Sequence, residues 1–148
     1  MQPVTGVPEM LKTLEYPVCV ASSAPMAKIR KALNVTNLSH YFGVDAERLA
    51  VRHRLFSSYD IGSCKPEPGL FLYAANNMGF LPESCVFIED SDVGIPAARS
   101  AGIYALKYSC DEELAERNNV FSNMKLLAKQ LDKIYQKKCD RSSLVKNM

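Results

Sequence analysis

No stretch of this 148-residue sequence stays apolar for the roughly 20 residues that a membrane helix needs, so no span across a bilayer is expected. Charge of one sign is scarce as well: a net charge of +2 is too small to suggest a surface for nucleic acid or membrane. The one locally basic segment, the closing "DKIYQKKCDRSSLVKNM", reads as a solvated helix terminus and tail, with a basic interaction patch as the lesser alternative. The five cysteines, Cys19, Cys64, Cys85, Cys110 and Cys139, are odd in number and form no CxxC pair, which argues against a disulfide framework or a structural zinc site. Reduced thiols in a cytoplasmic protein fit them best. The opening "MQPVTGVPEM" has neither a charged n-region nor an apolar h-region and is not expected to act as a secretory signal. Internal repeats and low-complexity segments are missing too.

What remains is the composition of one globular domain, 47% hydrophobic and 23% charged, long enough to bury a sizeable core. Short apolar runs alternate with helical patterns, the signature of strands joined by crossover helices in a parallel sheet. Pro8 opens a helix through Met10, Leu11 and Leu14. Val18 to Ala21 reads as a strand, and a helix with Ile29 and Leu33 on its apolar face runs to Asn34. After the less regular "NLSHYFGVDAERLAVRH", Leu55 to Ser57 forms a short strand. The loop "YDIGSCKPEPG" leads into a helix through Phe71, Leu72, Ala75 and Met78. Cys85 to Ile88 is a continuous apolar run, as in a strand covered on both faces. A helix then ends near Gly102, Tyr104 to Leu106 is another strand, and Leu126, Leu127, Leu131 and Ile134 mark a last helix. The expectation is a core over residues 1–137 with a polar tail over 138–148 and about four strands.

In an open parallel sheet, ligands gather beyond the carboxyl ends of the strands. Three polar groups follow a strand or its loop. Glu89, Asp90 and Asp92 are acids that repel one another directly after an apolar run, and a divalent cation would relieve that conflict. Magnesium, which takes one or two protein carboxylates, suits Glu89 and Asp90, while Asp92 or Ser91 would cap the helix. Capping and solvation alone are an equal alternative for all three. Lys65, in "SCKPEP", can present its ammonium to a phosphoryl oxygen, though a lone lysine is usually solvated surface. Ser22 can donate its hydroxyl to a phosphate, with Ser23 beside it, though a serine before a helix is more often an N-cap. No GxSxG elbow surrounds Ser22, and neither His40 nor His53 has an evident relation to it, so a serine-histidine triad is not expected.

The order of these groups is more specific than any one of them. The segments "VCVASSAP", "LFSSYDIGSCKPEPGLFLYAA" and "CVFIEDSDVGIPAARSAG" together resemble the second, third and fourth motifs of the haloacid dehalogenase superfamily, closest to its β-phosphoglucomutase-like branch of sugar-phosphate phosphatases and mutases, including the 6-phosphogluconate phosphatase type. The resemblance spans roughly Gly6 to Leu131. It implies a Rossmann-like α/β core in which Ser22 and Lys65 grip the transferring phosphoryl group and Asp90, supported by Glu89, binds magnesium. The family's first motif, a strand ending in Asp-x-Asp that supplies the nucleophile, has no counterpart; the lone Asp-x-Asp, Asp90-Ser91-Asp92, belongs to the fourth motif. The cap that follows this first strand is absent too. "GVDAERLAVRH" looks like an insertion.

The resemblance therefore implies the C-terminal part of a magnesium-dependent phosphatase of small phosphorylated metabolites, inactive alone, whose incomplete sheet would call for a partner chain to supply the strand. Magnesium is expected to bind weakly or not at all without the missing aspartates. A non-catalytic phosphate-binding or interaction protein derived from the same fold is the competing reading. A receiver-like domain is the weakest, since no acceptor aspartate precedes Ser22 and Lys65 at a strand end. The missing strand would leave either a gap between the strands ending at Ala21 and Ile88 or a direct pairing of the two.

Overall fold

The structure is a computed structural model that describes residues 1–43, 54–111 and 119–146, the last six of these by backbone alone. From residue 44 on, the expected insertion lies outside the described residues, as does His53. The elements follow the order α1 (Val7–Thr13), β1 (Val20–Ser22), α2 (Met26–Val35), a 3-10 turn (Ser39–Phe42), β2 (Leu55–Ser57), α3 (Ser58–Ile61), α4 (Gly69–Met78), β3 (Val86–Glu89), α5 (Gly94–Ser100), β4 (Tyr104–Tyr108), β5 (Val120–Phe121) and α6 (Leu127–Lys146). No described helix is long and apolar enough to cross a membrane.

All strand pairings are parallel, but they fall into two sheets rather than one. One sheet joins β1 to β2 in the register Val20 to Leu55 and Ser22 to Ser57. The other has the order β3-β4-β5, with Val86 opposite Tyr104 and Lys107 opposite Val120. Of the two outcomes expected for the missing strand, the described residues show the gap, with no pairing of β1 to β3 among them. Among the described residues five strands are present where about four were expected. The additional one, β5, is a two-residue strand too short to leave a pattern in the sequence.

Helix α4 illustrates why the chain folds as it does here. Pro68 stands at its N-cap, where no amide hydrogen is needed, and Gly79 ends it at φ 81, a left-handed conformation that costs glycine nothing. Leu70, Phe71, Ala74 and Ala75 recur on one side of the helix and are buried. They pack with Phe56 of β2 and with Ala97, Ala98, Ala101, Ile103 and Ala105 of the α5–β4 unit. The small side chains of α5 let it lie close against β4. A second cluster packs Met10 of α1 and Leu127 of α6 on Leu106 and Phe121, and a third packs α2 on Leu55. Helix α6 runs through Lys146 as a single helix.

Candidate functional site

Ser22, Lys65 and Glu89 border one cavity of about 640 Å³ at the carboxyl ends of β1 and β3. The backbone dictates this meeting. Ser22 is the last residue of β1, Glu89 the last of β3, and the loop between α3 and α4 carries Lys65 across to them. The Lys65–Pro66 peptide bond is cis.

Lys65 is not a solvated surface lysine. Its ammonium donates to Glu89 Oε2 in an ion pair, with the two side chains only 15% and 8% exposed. It also lies 5.2 Å from the centre of the Phe87 ring and 5.6 Å from that of Phe71, favourable cation–π distances. The second carboxylate oxygen, Oε1, accepts from the backbone amides of Asp90 and Ser91 at 3.1 and 3.0 Å. Burial pushes the Glu89 pKa up, but the hydrogen bonds from Lys65, Ser91 and Asp90 and the lysine charge outweigh it and hold the carboxyl at about 2. Glu89 is therefore ionised at any ordinary pH.

Gly94 explains itself only in three dimensions. A Cβ there would lie 2.0 Å from Glu89 Oε2 and 2.5 Å from Cδ, so the Glu89 carboxylate occupies the space a side chain would need. The glycine of the Glu-Asp-Ser-x-x-Gly pattern is thus the floor under Glu89. Spacing alone gave no reason for it.

Ser22 Oγ accepts from the amide of Ala24 at 3.2 Å, an ST-type turn that fixes the hydroxyl at the strand end. Ser57, fully buried at the end of the neighbouring strand, donates to the Ala24 carbonyl at 2.7 Å and so ties the same turn down from below. The sequence marked Ser57 only as the end of a strand. Ser23 is exposed in that turn. Asp90 is exposed immediately beyond Glu89. Asp92 is 89% exposed and pairs with Lys107, so it does not cap α5. Ser91 Oγ accepts from the Gly94 amide at 3.4 Å, while the N-cap position of α5 is Val93, which has no side-chain cap bond. His40 stacks beside Tyr41, away from the residues lining this cavity.

Among the described residues no group of three histidine, cysteine, aspartate or glutamate side chains is placed to hold a metal ion. Both Glu89 oxygens are engaged, which leaves Asp90 as the single exposed carboxylate of the expected pair. Magnesium asks for a near-octahedral set of oxygens, and one carboxylate is not a site for it. These residues do not by themselves fit the cation. None of the five cysteines is in a disulfide.

Comparison with known proteins bears on the family and the fold. Residues 2–102 match the profile of haloacid dehalogenase-like hydrolases. The chain is 30% identical over 111 residues to a 6-phosphogluconate phosphatase of Escherichia coli, covering 75% of this chain and 46% of that protein. It is 36% identical over 90 residues to a fructose-1-phosphate phosphatase of the same organism, covering 61% of this chain and 43% of the relative. A haloacid dehalogenase-like protein from Agrobacterium tumefaciens superposes with a TM-score of 0.76 at 26% identity, covering 90% of this chain and 62% of that one. The chain spans about half the length of the curated relatives it matches.

Proposed function

This chain belongs to the haloacid dehalogenase-like hydrolases, and we propose that its Ser22–Lys65 edge is the phosphoryl-binding half of a phosphoric-ester hydrolase for small phosphorylated metabolites such as sugar phosphates. The observation that carries this reading is the meeting of Ser22 and a pre-positioned Lys65 at the mouth of one cavity. A phosphoryl oxygen there receives a hydrogen bond from the Ser22 hydroxyl, aided by the Ser23 amide, and charge-assisted donation from Lys65. Glu89 acts as a positioning residue. It holds the lysine against the aromatic rings. The sugar-phosphate class follows from the names of the relatives, a 6-phosphogluconate phosphatase and a fructose-1-phosphate phosphatase.

Hydrolases of this family generally use magnesium. In this chain Asp90 is the carboxylate that would face it, with the remaining ligands to come from elsewhere. Among the described residues no carboxylate other than Glu89 stands at the end of a strand facing Ser22 and Lys65, and Glu89 is spent on the lysine. Covalent phosphoryl transfer needs an attacking group. The chain alone therefore binds phosphate without turning it over, which is also what a non-catalytic phosphate-binding protein of the same fold would do.

The test is a titration with 6-phosphogluconate and with inorganic phosphate, followed by calorimetry, together with a p-nitrophenyl phosphate assay. Binding is expected in the millimolar range, weakened at least tenfold by Lys65→Met, with no turnover above background. Absence of binding by the folded chain would refute the phosphate reading. Magnesium-dependent turnover abolished by Asp90→Asn would refute the claim that the chain is inactive.

A further inference from the structure

A second hollow lies at the opposite ends of the strands from Ser22 and Glu89. Its volume is about 900 Å³, at the upper end of pockets that take one small molecule, and its walls come from the amino ends of β3, β4 and β5 and from α5 and α6. Val86 pairs with Tyr104 at this end of the sheet and Glu89 with Lys107 at the other, three residues or about 10 Å along the strands. The hollow shares Ser84, Ile103, Tyr135 and Lys138 with the cavity of Ser22 and Lys65. Glu83, Arg99, Tyr104, Asn119 and Cys139 border the hollow and not that cavity, so the two are distinct.

Arg99 brings to it a guanidinium that the fold itself does not use. It stands in the last turn of α5, where a cation suits the helix dipole, yet the carbonyls of that turn are already taken. Those of Ala97 and Ala98 accept from the Ala101 amide at 3.1 Å, and that of Arg99 accepts from the Gly102 amide at 2.9 Å. Among the described residues the Arg99 side chain has no hydrogen-bond or ion-pair partner. Asn119 has donors to spare as well. Its side-chain oxygen accepts from the Tyr104 hydroxyl, which leaves the two hydrogens of its amide nitrogen for another acceptor. Lys138 adds a second cation, held at the rim by donating to the Glu83 carbonyl. Glu83 is the one acid among the described residues that line the hollow, so two cations face one carboxylate. The rest of the wall is apolar: buried Ile103 and Ala105, and the exposed rings of Tyr104 and Tyr135.

We propose that this hollow is a second binding site, for a small molecule made of a flat aromatic ring that carries one anionic group. The anion sits in the fork of Arg99, whose parallel N–H groups hold two oxygens of one carboxylate or phosphate at once. The ring lies against the tyrosines, whose faces favour a flat guest. One charge matches the balance of two cations to one acid, and the apolar wall calls for the ring. The site owes nothing to the phosphoryl edge at Ser22 and Lys65 and stands whether or not phosphate binds there.

The probe is naphthoate, added to the full 148-residue chain, with its fluorescence anisotropy as the first readout. Saturable one-to-one binding is expected. Naphthamide, the same ring without the charge, should bind about tenfold more weakly, and so should naphthoate to the Arg99→Met protein, as for the loss of one charge-assisted pair. Tyr104→Leu, a second exposed position, should weaken binding too. Thiol labelling then locates the probe. Saturating naphthoate should slow the modification of Cys139 by iodoacetamide, followed by peptide mass spectrometry, and leave the exposed Cys64 and Cys110 unchanged. Four results would overturn the proposal: no saturable binding up to millimolar naphthoate, equal binding of naphthamide, unchanged binding by either variant, or protection of Cys19 and Cys85, which line the other cavity, in place of Cys139.

Discussion

Replacing Gly94 by alanine adds one methyl group at the place where the structure has least room for it. The new Cβ would lie 2.0 Å from Glu89 Oε2 and 2.6 Å from Cγ, whereas ordinary contact begins at 3.4 Å. Either α5 lifts away from the strand end or Glu89 withdraws by more than an ångström. Withdrawal breaks the hydrogen bonds from the Asp90 and Ser91 amides and parts the carboxylate from Lys65. Overpacking of this kind costs about 1–3 kcal/mol. Disrupting a buried ion pair raises the cost toward about 3–5 kcal/mol. Against this, alanine gains roughly 0.5–1 kcal/mol over glycine in a helix, and less in a first turn. The net loss expected is about 2 kcal/mol or more, a large part of the 5–15 kcal/mol typical of a domain. Urea unfolding at neutral pH reads it directly. The same substitution in a Glu89→Ala, Lys65→Met background should cost nothing, since the obstructing carboxylate is gone. An equal loss in both backgrounds, or no loss in either, would refute the role assigned to Gly94.

Lys65→Met leaves the Glu89 carboxylate buried without its cation and is expected to destabilise by about 3–5 kcal/mol in urea unfolding; Lys65→Met with Glu89→Leu should recover most of it. Because the Glu89 carboxyl lies at about 2 in the folded chain, below its ordinary 4.5, its ionised form contributes stability that is complete above pH 4.5 and is lost as the pH falls toward 2. A Glu89→Gln variant should lose that part of the acid dependence, which thermal unfolding between pH 2.5 and 5 measures. Leu70→Ala, in the core that joins α4 to both sheets, should cost about 2–5 kcal/mol by the same method. Millimolar magnesium should leave the melting temperature unchanged, because a single exposed carboxylate gives the folded state no metal site to be stabilised through; a clear upward shift would show a metal site that the described residues do not reveal.

Long apolar signals carried the fold in the sequence. The runs at Val18 and Cys85 and the helical spacing of Phe71, Ala75 and Met78 gave the α/β class and the parallel pairing, with ends that shifted by a residue or two, as in β3, which starts at Val86 and includes Glu89. Short elements were not legible. The four-residue α3 lies in what reads as a loop because it is capped by Ser57 and ended by Gly62 rather than marked by periodicity. In the site, the order of Ser22, Lys65 and Glu89-Asp90 was visible, but the pairing of Lys65 with Glu89 was not. That pairing depends on a contact across 24 positions of sequence, which no local pattern encodes. The function of Gly94 was hidden for the same reason.

The three apolar clusters are not equivalent in what they connect. The one centred on Leu70 and Phe71 touches strands of both sheets, from Cys19 and Phe56 on one side to Phe87 and Ala105 on the other, while the cluster under α2 serves the first sheet and that under α6 the second, with Val7 and Leu11 of α1 touching both. Among the described residues no strand-to-strand ladder links the halves. Their cooperativity therefore runs chiefly through the spine of α4, and the chain is built as two foldons sharing one helix. Loss of α4 would leave each half to melt on its own, so that a single transition becomes two, and amide protection would separate into a tier for β1–β2 and another for β3–β4–β5.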